Sequence, residues 1–230
     1  MIFIHFLIKL FRTNNEYLLK IETDTTMIKV IIFDLGGVLI DLNFDLFFKS
    51  VSQLTGLPVQ ELSKHKYSTI VNRFSAGEIT GEQLHGELCN LSQSNISFEK
   101  LKQIWPDVLT AQKDDVAKIV TGLHQTFQLA LLSNTDPWHF EYCRQHFPIV
   151  KTFEHIFLSY EFHLLKPDPE FYIKVSQSLG VKHDECLFID DTEVNVKSAE
   201  DVGYHVIHFK DAEQLTKELL NRNLTPFSSN

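Results

Sequence analysis

The spacing of apolar residues changes along this chain, and each change marks a different kind of element. Val30-Ile31-Ile32-Phe33 is an uninterrupted run of β-branched and apolar side chains, the pattern of a strand buried on both faces. After Asp41 the spacing switches to threes and fours. Phe44, Phe47, Phe48, Val51 and Leu54 form a helical stripe, and Thr55-Gly56 ends it. Pro58 suits the first turn of a further helix, with Val59 and Leu62 apolar. Thr80 and Gln83 have capping-box spacing ahead of Leu84 and Leu88, and Ser97 caps a helix that ends near Trp105-Pro106. Residues 44–110 thus read as several short helices without a strand.

From about residue 114 helices and strands alternate. Val116, Ile119, Val120 and Leu123 make a helical stripe, and FQLALL at 127–132 is a strand-length run ending at Ser133-Asn134-Thr135. Asp136-Pro137 starts the helix that carries Phe140 and Cys143. A short strand at 156–158 is followed by a loop to Lys166, and Asp168-Pro169 opens a helix that Gly180 closes. Residues 186–189 form another buried strand, ending at Asp190-Asp191. A helix to Val202 with Gly203 as its stop, a strand at 204–209 and a last helix from about Asp211 complete the chain. Strands separated by helices imply a parallel sheet with right-handed crossovers. The all-helical stretch between the first and second strands is then an inserted cap above the sheet's carboxyl edge.

Residues 1–26 stand apart from this pattern. MIFIHFLIKLF is apolar, but His5 and Lys9 interrupt it, it lacks a basic start and a small-residue cleavage site, and it is too short to span a bilayer. Residues 13–26 are polar without clear periodicity. The core is expected to begin near Met27, with 1–26 an extension outside it. Of the 230 residues 43% are hydrophobic and 22% charged, which suits a globular protein with a sizeable core. A formal net charge of −9 disfavours a nucleic-acid backbone as partner, so an anionic ligand must be held by a local arrangement. Cys89, Cys143 and Cys186 are odd in number and widely spaced, as expected of reduced thiols in a cytoplasmic protein with no membrane partner.

Asp34, Ser133, Lys166 and the pair Asp190-Asp191 are polar residues at strand or loop ends, where a packed core does not require them. Each has an ordinary explanation: a turn aspartate before Gly36-Gly37, a cap, a surface lysine before a proline turn, and helix-capping aspartates. Their joint placement at successive carboxyl ends of parallel strands is different, because those ends converge on one crevice.

Taken together, Asp34-Leu35-Gly36-Gly37-Val38, LLSNT with its Ser133, Lys166 in LLKPDPE and FIDDTEVNVKSA resemble the four ordered motifs of the haloacid dehalogenase superfamily of aspartate-nucleophile hydrolases. The similarity runs over roughly residues 28–210 and is greatest to the branch with an α-helical cap, including sugar-1-phosphate phosphatases with a DLGxV first motif. It implies an α/β fold: a Rossmann-like parallel sheet core at 27–43 and 111–230, with a helical cap at 44–110. It also implies a Mg²⁺-dependent phosphatase, a monomer or homodimer, acting on a small phosphorylated metabolite such as a sugar phosphate.

By that resemblance Asp34 is the nucleophile that forms an aspartyl-phosphate. Mg²⁺ is held by Asp34, the Gly36 carbonyl and Asp191, with Asp190 a ligand through water or an orienting neighbour. Ser133 and the Asn134 N–H bind phosphate oxygens, and Lys166 neutralises them. Asn195 stands where a further carboxylate is often found.

One position departs from the pattern. Phosphatases of the superfamily commonly carry a second Asp two residues after the nucleophile, as general acid–base; here that residue is Gly36. Three readings stay open. The chain prefers better leaving groups or draws its proton from another side chain, His139 being one candidate. Alternatively it is a catalytically weak phosphometabolite-binding protein. The third is a 2-haloacid dehalogenase, against which the intact Asp190-Asp191 pair counts.

Overall fold

The computed structural model describes the backbone of residues 7–13, 16–22, 27–62 and 65–225, and side chains at 27–62 and 67–225. Strands β1 (Leu7–Thr13) and β2 (Glu16–Glu22) pair antiparallel as a separate two-stranded sheet. Apart from that backbone pairing, the expectation that 1–26 lies outside the core falls outside the described residues.

The core is built from β3 (Val30–Phe33), β6 (Gln128–Ser133), β7 (His155–Leu158), β8 (Cys186–Asp190) and β9 (His205–His208). Between β3 and β6 come the short strands β4 (Ile40–Leu42) and β5 (Leu109–Gln112). The five core strands form one parallel sheet in the order β7-β6-β3-β8-β9. The first of them in sequence therefore lies at the centre.

β3 is apolar throughout because both of its faces are covered. Val30 and Ile32 pack with Phe171, Tyr172 and Phe188 on one side, and Ile31 and Phe33 join Val116, Ile119 and Phe153 on the other. Phe33 is level with Leu131 on one neighbour and Ile189 on the other. One step further brings Asp34 beside Asp190, with Ser133 just beyond on β6. Ladder register alone thus gathers three of the polar residues at one edge.

The inserted helices are α1 (Phe44–Thr55), α2 (Val59–Leu62), α3 (His65–Ser75), α4 (Gly81–Ser92) and α5 (Phe98–Ile104). They enclose their own apolar cluster around Phe47, Val51, Phe74, Leu84, Leu101 and Trp105. Their ends follow the local chemistry. Asn43 caps α1, Thr80 and Gln83 form a reciprocal capping box on α4, and Ser97 caps α5. The chain leaves and re-enters the core through β4 and β5, which pair antiparallel with a register irregularity at Asp41/Leu42. That strand pair corrects the reading of 44–110 as strand-free, because β5 begins at Leu109.

The remaining helices are α6 (Asp114–Leu123), α7 (Pro137–His146), α8 (Ser159–Phe162), α9 (Pro169–Leu179), α10 (Glu193–Val202) and α11 (Ala212–Asn221). The one-turn α8 occupies part of what the sequence suggested was a loop to Lys166. Asp136 and Asp168 cap α7 and α9, each with Pro at the first helical position.

Candidate active site

Lys166 is the hub of the crevice. Its Nζ lies 2.8 Å from Asp34 Oδ1 and 2.7 Å from Asp190 Oδ2, and donates to the Leu132 carbonyl at 3.1 Å. All three side chains are buried. Burial is the largest influence on Asp34 and raises its pKa; Lys166 pulls it down, Asp190 pushes it up, and the balance is about 7. For Lys166 burial works against the charge, but the two carboxylates outweigh it and its pKa is raised.

Asp190 has little carboxylate left to offer a further partner. Besides Lys166 it accepts from the Thr192 N–H at 2.7 Å and from Asn195 Nδ2 at 3.2 and 3.1 Å to its two oxygens. Asn195 thus serves as a donor where a carboxylate would have repelled Asp190. Asp191 is exposed, and its pKa is raised, chiefly by partial desolvation and then by Asp190. Oxygens of Asp34, Asp190 and Asp191 lie within 4.8 Å of one another. A set of hard carboxylate oxygens at that spacing fits a cation such as Mg²⁺.

The two glycines after Asp34 have different reasons to be there. Gly37 has φ +79°, and a Cβ on it would stand 2.1 Å from Asp191 Oδ2. Only glycine lets that turn and that carboxylate coexist. Gly36 lies outside the left-handed region, and a Cβ there would meet only the end of Leu42, at 2.9 Å from Cδ1.

Ser133 is buried and lines the crevice. The Asn134 side chain does something the sequence did not suggest. Its Oδ1 accepts from the Lys166 N–H and its Nδ2 donates to the Lys166 carbonyl, both at 2.8 Å, so it fixes the loop that presents the lysine. Its backbone N–H remains the group read as a phosphate donor. Leu42, Phe44 and Val194 also line the crevice, whose volume is about 420 Å³.

A second polar cluster lies behind Ser133. Asp136 is fully buried; its Oδ1 accepts from the Trp138 and His139 N–H groups at 3.0 Å, and its Oδ2 accepts from Trp105 Nε1 at 2.9 Å. His139 Nδ1 stands 2.6 Å from Asp136 Oδ2, and its Nε2 meets the Trp105 carbonyl at 2.8 Å. Both ring nitrogens therefore face acceptors, as an imidazolium requires. Burial alone would lower the His139 pKa, but Asp136 and the Trp105 carbonyl leave it raised. For Asp136 burial works upward, and His139 with its hydrogen bonds leaves the value lowered. His139 is thus committed to joining α7 to the cap, which weighs against its reading as a substitute acid.

The haloacid dehalogenase-like hydrolase model matches residues 28–203, so the chain belongs to that family of hydrolases. It is 27% identical over 205 residues to a D-ribitol-5-phosphate phosphatase of Bacteroides thetaiotaomicron, covering 84% of this chain and 97% of the relative. It is 26% identical over 190 residues to flavin mononucleotide hydrolase 1 of Arabidopsis thaliana, covering 83% of this chain and 76% of the relative. Among solved structures, a haloacid dehalogenase family enzyme from B. thetaiotaomicron superposes with a TM-score of 0.78 at 26% identity, covering 84% and 98% of the two chains. A structure of that enzyme in complex with magnesium and inorganic phosphate gives 0.72 at 26% identity, covering 80% and 94%. Among the described residues no helix is long and apolar enough to cross a membrane.

Proposed function

We propose that the chain is a Mg²⁺-dependent phosphoric monoester hydrolase that acts on a small phosphorylated metabolite through an aspartyl-phosphate on Asp34. The observation that carries this reading is Lys166 Nζ held between Asp34 and Asp190 at 2.8 and 2.7 Å, with Asp191 close by at the same sheet edge. The phosphatase names of the two relatives and the magnesium–phosphate complex of a similar fold support it.

Asp34 Oδ attacks phosphorus, while Lys166, Ser133 and the Asn134 N–H compensate the phosphate charge. Asp34, Asp191 and the Gly36 carbonyl would hold Mg²⁺. Asp190, already engaged by three donors, orients Lys166 and the neighbouring loop. Bound there, the cation would offset the repulsion between an anionic nucleophile and an anionic ester. The cap closes the crevice from water.

Phosphate release should be measured over a panel of sugar, polyol and nucleotide phosphates with and without EDTA. The expected result is EDTA-sensitive turnover that Asp34→Asn abolishes; no turnover of any ester under saturating Mg²⁺ sinks the reading. Gly36 favours a second reading, a phosphometabolite-binding protein that hydrolyses poorly. Metabolite binding without trapping of a phosphoaspartate or a beryllofluoride adduct would support that one instead. Metal-independent release of halide from a 2-haloacid would point to the dehalogenase alternative.

A further inference from the structure

Phe44 heads the apolar stripe of α1, yet the structure leaves it out of the cap's core. Phe47 and Val51 of that stripe are buried, whereas Phe44 is 54% exposed. Its ring is backed by the Phe48 ring at 6.2 Å, and Phe48 in turn meets Phe47 and Tyr67 inside the cap. Phe44 lines the crevice that holds Asp34, and also the adjoining space of about 180 Å³ toward the cap.

Val194 faces the same crevice from the core. It stands in the first turn of α10 between Glu193 and Asn195, is 55% exposed, and packs in none of the apolar clusters formed by the described residues. Leu42, half-buried, and Pro167, exposed, join the two as an apolar rim.

One exposed phenylalanine or valine is ordinary on a protein surface. These two stand on opposite walls of one crevice, and what enters it decides their meaning. Among the described residues the charged side chains lining the crevice are Asp34, Lys166 and Asp191, all at the sheet edge. A phosphoryl group held there leaves the rest of the ester to meet the rim. The nearby amides are engaged already: Asn134 bonds the Lys166 backbone through both ends, and Asn195 donates to Asp190. Hydroxyls turned toward the rim would lose water against carbon, whereas a ring would bury its faces there.

Resting on the phosphatase reading, we propose that Phe44 and Val194 are specificity-determining residues that select phosphomonoesters whose leaving group carries a planar, apolar ring, stacked on Phe44 and covered by Val194. Selection acts through the shape and polarity of that group, whatever its acidity. The contact lies away from the reacting bond, so it is expressed in KM more than in kcat.

The test uses esters of primary alcohols only, which keeps the acidity of the leaving group nearly constant: benzyl, cyclohexylmethyl and pentitol phosphates. With saturating Mg²⁺, kcat/KM should be highest for the benzyl ester and exceed that of the pentitol ester by about tenfold or more, mainly through KM. Phe44→Ser should remove most of that ratio. Phe44→Leu should abolish the preference for benzyl over cyclohexylmethyl while keeping both above the pentitol ester. Val194→Thr, nearly equal in volume but polar, should lower the benzyl-to-pentitol ratio in the same direction. The ratio is internal to each variant, so a partly folded preparation does not distort it. A wild-type preference for the pentitol ester, or a ratio that neither Phe44→Ser nor Val194→Thr moves, overturns the inference and leaves the phosphatase reading standing. An unmoved ratio with loss of a dimer in Phe44→Ser overturns it too, and makes the rim an interface between copies of the chain. Failure of every ester, p-nitrophenyl phosphate included, with no phosphoaspartate trapped, overturns that reading and this inference with it.

Discussion

At the scale of single residues the site is a problem of buried charge. Two carboxylates face one ammonium in a space where all three are nearly dry, so the arrangement is stable only while the cation is there. Lys166→Met keeps the length of the side chain and removes its charge. Asp34 and Asp190 would then confront each other without compensation. The expected cost is about 3–5 kcal/mol of stability at pH 7.5, together with a loss of activity of at least about 10²-fold. The stability deficit should shrink as the pH falls, because protonating either carboxylate relieves the repulsion. Urea denaturation at pH 7.5 and pH 5 checks the sign; a deficit that grows on acidification would refute the assignment of Lys166 as the compensating charge. Much of this was legible in the sequence. Asp34, Ser133 and Asp190 each sit directly at a strand end, so recognising the strand was enough to place the residue. Leu42 was not legible, because its approach to Gly36 depends on a turn that folds β4 back over the loop after Asp34.

Elements carry the next layer, and here the junction between α7 and the cap matters most. Trp105 offers its indole N–H to Asp136 and its carbonyl to His139, so one cap residue is gripped by an ion pair whose carboxylate is itself buried. The pKa directions fix the pH window. His139 is raised above its ordinary 6.5, so its contribution is complete below that value and is lost as the pH climbs through the folded-state value. Asp136 is lowered below 3.8, so its contribution is present above that value and is lost on acidification through the folded-state value. The pair therefore stabilises most between about pH 4 and 6.5. Wild type should lose stability between pH 6 and pH 9 by more than His139→Gln does, as measured by thermal denaturation; equal slopes would dismiss the imidazolium. A neighbouring position acts in the opposite sense. The Tyr67 hydroxyl on α3 is buried and has no hydrogen-bond partner among the described residues, which is costly. Tyr67→Phe should stabilise the protein by about 1 kcal/mol, read as a higher urea midpoint at unchanged m-value, and a lower midpoint would show that the hydroxyl is satisfied after all. Helix starts in the cap were readable because capping is local, as with Thr80 and Gln83. The Trp105–Asp136 bond spans 31 positions, and β4 and β5 pair Ile40 with Gln112 through strands too short to show a period.

Over the whole molecule the decisive quantity is charge. A chain with a formal net charge of −9 is proposed to capture a dianionic ester, so its long-range field repels its own substrate. The attraction must come from Lys166, backbone N–H groups and a bound cation at contact distance, buried where salt screens little. These two contributions respond differently to ionic strength. Raising salt from about 0.01 M to 0.15 M shortens the Debye length from about 30 to 8 Å, which suppresses the outer repulsion and leaves the inner contacts largely intact. With Mg²⁺ held at saturation, kcat/KM should therefore stay level or rise as KCl is added. A steep fall would mean that a positive surface steers the substrate, and would move the recognition site away from the buried lysine. The same experiment on Lys166→Arg separates the two contributions. Its salt dependence should keep the wild-type sign because the outer field is unchanged, while its absolute rate drops because a planar guanidinium cannot take the place of a point charge between two carboxylates.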